Sequence, residues 1–123
     1  MTVRDVMSAA LVTVGPDTTV AEAATVMGTR HVGSALVMEG DALTGIFTER
    51  DVMRAVASDF DAAHHPVREF MTPDPATAEP TSGLRAALDA MLEGGFRHLP
   101  VIYGGRVVGV VSMRDLTASM ERG

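Results

Sequence analysis

Gly45-Ile46-Phe47-Thr48-Glu49-Arg50-Asp51 and Gly109-Val110-Val111-Ser112-Met113-Arg114-Asp115 are one phrase written twice, 64 positions apart. Working outward from it, the register holds. Val3 to Val52 falls on Val67 to Leu116 without a gap, and twelve pairs are identical, among them Met7/Met71, Thr13/Thr77, Met27/Met91, Val37/Val101, Gly45/Gly109, Arg50/Arg114 and Asp51/Asp115. Composition alone scatters matches; it does not keep Gly, Arg and Asp in step along an ungapped register. Two copies are too few for a solenoid. The expected assembly is therefore a pseudo-twofold pair sharing one core.

Each copy predicts the same elements. An apolar segment at Leu11–Val14, with Thr77 opposite, suits a short strand. Asp17-Thr18-Thr19 and Thr81-Ser82-Gly83 are helix-start signals. Val20, Ala23, Ala24 and Met27 then fall at i, i+3, i+4 and i+7, as do Leu84, Ala87, Leu88 and Met91, which is the spacing of an amphipathic helix. Ala35-Leu36-Val37-Met38 and Leu99-Pro100-Val101-Ile102 are apolar strands. Glu39-Gly40-Asp41 and Tyr103-Gly104-Gly105-Arg106 are hairpin turns, where Gly supplies a positive φ. Leu43–Phe47 and Val107–Val111 return, and Asp51–Ala57 and Asp115–Met120 close as short helices. The expected fold is α/β (α+β), β-α-β-β-α twice: copy one at 3–58, a polar linker at 59–66, copy two at 67–121.

Composition narrows the function. The chain has 123 residues, 10 Lys+Arg against 16 Asp+Glu, a net charge of −6, 46% hydrophobic residues and 4% aromatics. With no Cys, disulfide frameworks, thiolate metal sites and cysteine nucleophiles are excluded. No apolar run approaches the roughly 18 residues of a membrane span, and the N-terminus lacks a signal-peptide pattern, so a cytoplasmic protein is expected. Acidity and few aromatics oppose nucleic acid as a partner. The sequence also lacks a P-loop, a Gly-x-Ser-x-Gly elbow, an HExxH helix and a dinucleotide fingerprint. The expectation is no enzyme.

The repeated phrase runs from a buried strand into a helix start, where unpaired N–H groups and the helix dipole favour an anion such as phosphate. The Thr48 or Ser112 hydroxyl can bond a phosphate oxygen, and Arg50 or Arg114 offers a forked cation. Asp51 or Asp115 can accept from two ribose hydroxyls. Thr or Ser followed three residues on by an acid is also a capping box, which explains the phrase with no ligand. A cap needs no Arg, however, and both copies keep one.

With Gly-x-x-[Thr/Ser]-x-x-Asp ending each copy and Arg97-His98-Leu99-Pro100-Val101 entering the second-copy strand, the chain resembles a tandem pair of CBS domains, a Bateman module, over about residues 3–120. The resemblance implies two three-stranded sheets packed together, two related clefts and a regulatory ligand bearing an adenosyl group. AMP, ADP or ATP comes first; S-adenosylmethionine or NAD(H) is less common, and none is a required cofactor. By position it assigns Asp51 and Asp115 to ribose, and Thr48, Arg50, Ser112, Arg114, Arg97 and His98 to phosphates. Val14, Ala35, Leu99 and Pro100 would lie against adenine, whose edge is read by backbone near Thr13 and Thr77. Copy one has Gly33-Ser34-Ala35-Leu36 in place of Arg97-His98-Leu99-Pro100, so the two sites are expected to differ for charged phosphates.

The resemblance leaves no room for an appended effector domain, so a stand-alone sensor acting on a separate effector protein is expected. The alternative is a ligand-free homodimerisation module. Met53, Val56 and Met120 make the closing helices too apolar for solvent, and the family pairs through these helices; a homodimer is expected. No metal is expected: His64 and His65 are adjacent, their side chains diverge, and they are taken as solvated, while His31 is a surface or dimer residue. His98 is the candidate for pH-sensitive phosphate binding, since an unperturbed His titrates at about 6.5; the alternative is a satisfied structural His.

Overall fold

The structure, a computed structural model, describes residues 1–122. In chain order it contains α1 (Val3–Val6), β1 (Thr13–Val14), α2 (Val20–Arg30), β2 (Ser34–Glu39), β3 (Ala42–Thr48) and α3 (Glu49–Ser58). Two 3-10 turns follow at Phe60–His64 and Val67–Glu69, then β4 (Thr72–Pro73), α4 (Leu84–Gly94), β5 (His98–Tyr103), β6 (Arg106–Ser112) and α5 (Met113–Arg122). The mixed α and β architecture matches the expectation. The chain forms two compact units, Val12–Pro75 and Met1–Leu11 with the residues from Ala76 on. These do not follow the boundaries of the sequence copies.

In the Val12–Pro75 unit, the Thr19 hydroxyl accepts from the Glu22 N–H at 3.1 Å and starts α2, an N-cap that satisfies one orphan donor. Val20, Ala23 and Met27 are buried along one face of that helix. β2 runs parallel to β1 and antiparallel to β3, with Ser34 opposite Thr48 and Leu36 opposite Ile46. The tight turn between β2 and β3 uses Gly40 at φ 59°, a conformation that costs glycine little. β4 pairs with the far side of β3, giving the order β1-β2-β3-β4. Val20, Ala23, Met27, Ala35, Val37 and Phe47 form the core with Ala55, Ala62 and Val67. Residues 59–66, expected as a polar linker, pack against this unit. The Asp59 carboxylate accepts from the Asp61 N–H at 2.9 Å, Ala62 is fully buried, and the His65 carbonyl accepts from the Val20 N–H at 2.9 Å.

In the other unit β5 and β6 pair antiparallel, Leu99 against Val111 and Val101 against Gly109, over a core of Val3, Leu84, Ala87, Met91, Leu99, Val101, Val111 and Leu116. The strand expected around Thr77 is reduced to a single parallel bridge, Ala78 to Val101. Copy one has Leu11, Val12 and Val14 where copy two has Pro75, Ala76 and Ala78. Pro lacks a ladder donor, and Ala fits a pleated surface less well than Val.

Pairing is reciprocal between the copies. Thr72, which opens copy two, pairs with Ile46 of copy one; its counterpart Ser8 bridges Val110 of copy two. Thr19 bridges Pro66 in one unit and Thr2 bridges Gly83 in the other. The repeated Gly makes this possible. A Cβ on Gly45 would lie 2.5 Å from the Met71 sulfur and 2.9 Å from the Thr72 carbonyl; on Gly109 it would lie 2.6 Å from the Met7 sulfur and 3.0 Å from the Ser8 carbonyl. Among the described residues, no helix is long and apolar enough to cross a membrane.

Candidate functional site

Each repeated phrase becomes a strand-to-helix corner. In copy two the Met113 N–H donates to the Arg97 carbonyl at 2.8 Å, which brings the residue ahead of β5 beside the first turn of α5. His98 is the cross-strand partner of Ser112. Arg97, Ser112, Arg114 and Asp115 therefore converge on the N-terminus of one helix. The Ser112 hydroxyl accepts from the Asp115 N–H at 3.1 Å, a simple N-cap. Arg97, Arg114 and Asp115 are exposed, and His98 and Ser112 are half-buried. Among the described residues no hydrogen bond or ion pair engages the Asp115 carboxylate. Two guanidiniums, a hydroxyl and a helix N-terminus make a local field that favours an anion within an acidic chain, and a carboxylate beside them can accept hydrogen bonds from hydroxyls.

The copy-one corner has the same backbone and different chemistry. The Glu49 N–H donates to the Gly33 carbonyl at 3.0 Å, and buried Ser34 faces Thr48. Asp51 is only 4% exposed. Its Oδ2 accepts from the Thr48 N–H at 2.9 Å and from the Thr48 hydroxyl at 3.1 Å, while the Asp51 N–H donates back to Thr48 Oγ1 at 3.4 Å. This is a complete capping box. Asp51 Oδ1 accepts from Arg54 Nη1 at 2.9 Å. Arg50 is exposed. The ligand-free reading of the phrase thus describes the side chains of copy one, where both carboxylate oxygens and the Thr48 proton are committed. Arg54 escaped the sequence reading; its signal was Asp and Arg three apart on a helix, a spacing at which side chains meet. Ala118 stands at its place in copy two.

Ala35 and Leu99 are 1% exposed and sit in the cores of their units, and Pro100 is buried as well. All three present little surface to a ligand. Val14 is half-buried, and Thr13 and Thr77 are exposed. The backbone at the two threonines is well placed. The Val12 carbonyl accepts from Leu36, and Ala78 both donates to Pro100 and accepts from Ile102, each at 2.9 Å. Alternate residues of a strand turn their backbone groups to opposite sides, so those of Thr13 and Thr77 face away from the neighbouring strand.

Among the described residues there is no cluster of three or more His, Asp and Glu that could hold a metal ion. His64 is exposed, whereas His65 Nδ1 lies 2.8 Å from Glu69 Oε2, an i,i+4 contact the sequence reading overlooked. His31 is exposed and caps α2 in the left-handed conformation.

Two copies of a strand-to-helix corner, each joining a hydroxyl, an arginine and an aspartate, define a duplicated α+β protein. The CBS domain family model matches residues 3–58 and again 67–122, and the chain belongs to that family with two CBS domains in tandem. An uncharacterized 17.7 kDa protein of Acidianus ambivalens is 40% identical over 110 residues, 87% of this chain; the chain spans 65% of that protein's length. The structure of a putative signal-transduction protein with CBS domains from Burkholderia ambifaria superposes with a TM-score of 0.92 at 31% identity, covering 98% of this chain and 93% of that one. Two more distant structures share the fold. The CBS domain pair of protein MJ0100, in complex with 5′-methylthioadenosine and S-adenosyl-L-methionine, has a TM-score of 0.89 at 23% identity, covering 99% and 97% of the two chains. CBSX2, in complex with AMP, has a TM-score of 0.82 at 24% identity, covering 98% and 96%.

Proposed function

We propose that this CBS pair is a regulatory module that binds an adenosyl ligand, with AMP, ADP or ATP first and S-adenosylmethionine or NAD(H) next. The observation that carries the reading is the copy-two corner, where an Asp115 carboxylate without a partner among the described residues stands beside Ser112, Arg97 and Arg114 at the start of α5. In this reading Asp115 accepts the ribose hydroxyl protons, Ser112 and the two guanidiniums hold phosphate oxygens, and His98 lies next to them. The Thr77 backbone reads the base edge. The same fold carries adenosyl ligands in two other proteins, which supports that ligand class. In this reading the corner's hydroxyl, carboxylate and guanidiniums serve regulatory binding rather than catalysis.

The signal passes through a homodimer surface. Met53 at 75% exposed, Val56 at 56% and Phe60 at 99% lie along α3 and the turn after it, an apolar row that favours cover by a second copy. Ligand shifts the assembly, and hence its recognition by an effector protein, by its differential affinity for two shapes. The second reading is a ligand-free dimerisation module, favoured by the complete capping box at Thr48 and Asp51. Melting temperature with AMP, ADP, ATP, S-adenosylmethionine and NAD(H) separates the two. A ligand at 100 times its Kd adds about 2.7 kcal/mol of stability, and Asp115→Ala removes that shift. No shift with any of the five leaves the dimerisation module.

A further inference from the structure

We propose that Arg54 keeps the copy-one corner closed by occupying the carboxylate a ligand would need, so that the module carries one open site and one self-occupied site. The inference rests on the adenosyl-binding reading above. Asp51 and Asp115 are the same residue of the repeated phrase, and among the differences in their surroundings one lies three residues further along the helix, at positions 54 and 118. Arg54 Nη1 donates to Asp51 Oδ1 at 2.9 Å, from a guanidinium side chain 62% exposed to a carboxylate side chain 5% exposed. Its counterpart, Ala118, carries no donor, and the Asp115 carboxylate has no partner among the described residues. Asp51 Oδ2 is already taken by the N–H and hydroxyl of Thr48. Oδ1 is therefore the acceptor still to be won, and Arg54 holds it. A ligand hydroxyl must displace a charged, forked donor tethered one helical turn away, an intramolecular competitor at high effective concentration. The competitor sits at the surface, where its side chain can swing away without unpacking the core. Arg54 is thus a residue that determines which of two equivalent corners takes a ligand.

Titration calorimetry of the full chain with AMP, and in parallel with ATP, tests this. Wild type binds one nucleotide per chain, and Asp115→Ala loses it. Arg54→Ala and Arg54→Gln, the second keeping side-chain length without charge, each gain a second site, which Asp51→Ala added to either variant removes. Ala118→Arg transplants the closing residue and weakens the copy-two site by about tenfold or more, the factor a charged hydrogen bond is worth; its circular dichroism spectrum and Tm verify the fold. Two sites of equal affinity in wild type overturn the inference. So does unchanged stoichiometry in both Arg54 variants, or unchanged affinity in a folded Ala118→Arg. In each of those cases adenosyl binding itself still stands, whereas failure of both nucleotides to bind wild type and both Arg54 variants overturns the binding reading together with the inference.

Discussion

Gly45 lies so close beneath Met71 that a single added carbon would meet the methionine sulfur at 2.5 Å and the next residue's carbonyl at 2.9 Å. The sulfur is the far end of a flexible side chain and can move; the Thr72 carbonyl belongs to the strand paired with β3 and cannot move without loosening that pairing. The same relation joins Gly109 to Met7 and Ser8. Gly in the repeated phrase thus serves the sheet rather than a ligand.

Gly45→Ala and Gly109→Ala should therefore each destabilise the protein by about 1–3 kcal/mol, the usual cost of overpacking a close contact. Urea unfolding measures this as a lower midpoint. Wild-type midpoints in both variants would show that the crossing segments shift at no cost.

The two repeated aspartates should separate by readout. Asp51→Ala removes a buried carboxylate that accepts three hydrogen bonds, a loss of about 2 kcal/mol from cap and ion pair combined. Asp115→Ala removes an exposed side chain without a partner among the described residues, and its stability should stay within about 0.5 kcal/mol of wild type. Chemical denaturation of the two variants side by side settles the comparison; equal losses would contradict the asymmetry of the corners.

Arg97→Ala should weaken ATP binding by about tenfold, the order of one charged phosphate contact, and leave adenosine binding unchanged. The wild-type preference for ATP over adenosine should also shrink as salt rises, because these guanidiniums are exposed and screened. Competition binding with adenosine, AMP and ATP at two ionic strengths reads both effects. Equal loss for adenosine would place Arg97 outside the phosphate subsite.

The Thr2 N–H, 2.8 Å from Asp5 Oδ2, holds the Asp5 carboxyl below the ordinary carboxylate range, with smaller help from the Thr2 hydroxyl and nearby positive charge. A carboxyl with a lowered folded pKa contributes stability above its unfolded pKa and loses it as pH falls through the folded one. Asp5→Ala should thus have a lower Tm than wild type at neutral pH. The difference should close in acid, beginning near the usual carboxylate pKa of about 3.9. A gap that stays constant down to that range and beyond would mean the cap acts without its charge.

Phe60 is 99% exposed at the end of the apolar row on α3. Phe60→Asp together with Met53→Asp should convert a dimer into a monomer, as measured by light scattering at micromolar concentration. A wild-type monomer under those conditions removes the dimer from the mechanism.

Much of this was legible from local rules. Thr19 and Thr48 cap helices where hydroxyl residues precede apolar periodicity, and the turns fall at Gly40 and at Gly104-Gly105. Contacts between elements distant in the chain were not legible. Residues 59–66 looked polar, yet Ala62 is buried and the His65 carbonyl bonds Val20, contacts with elements far away in the chain. Arg54 was not legible either, because a helical Arg is ordinarily a solvated charge and only the folded corner brings it to the Asp51 carboxylate.

The sequence by itself determined the duplication, the main helices and hairpin strands of each copy, and the residue types at each corner, because caps, turns and periodicity act between residues a few positions apart. Only the tertiary structure decided that each copy's opening segment pairs with the other copy's sheet, and that the Asp51 carboxylate is engaged while that of Asp115 has no partner among the described residues. Strand pairing joins residues distant in sequence, and the state of a carboxylate depends on which donors the folded chain brings within 3 Å or so of it. Identical letters in a repeat therefore do not guarantee identical chemistry.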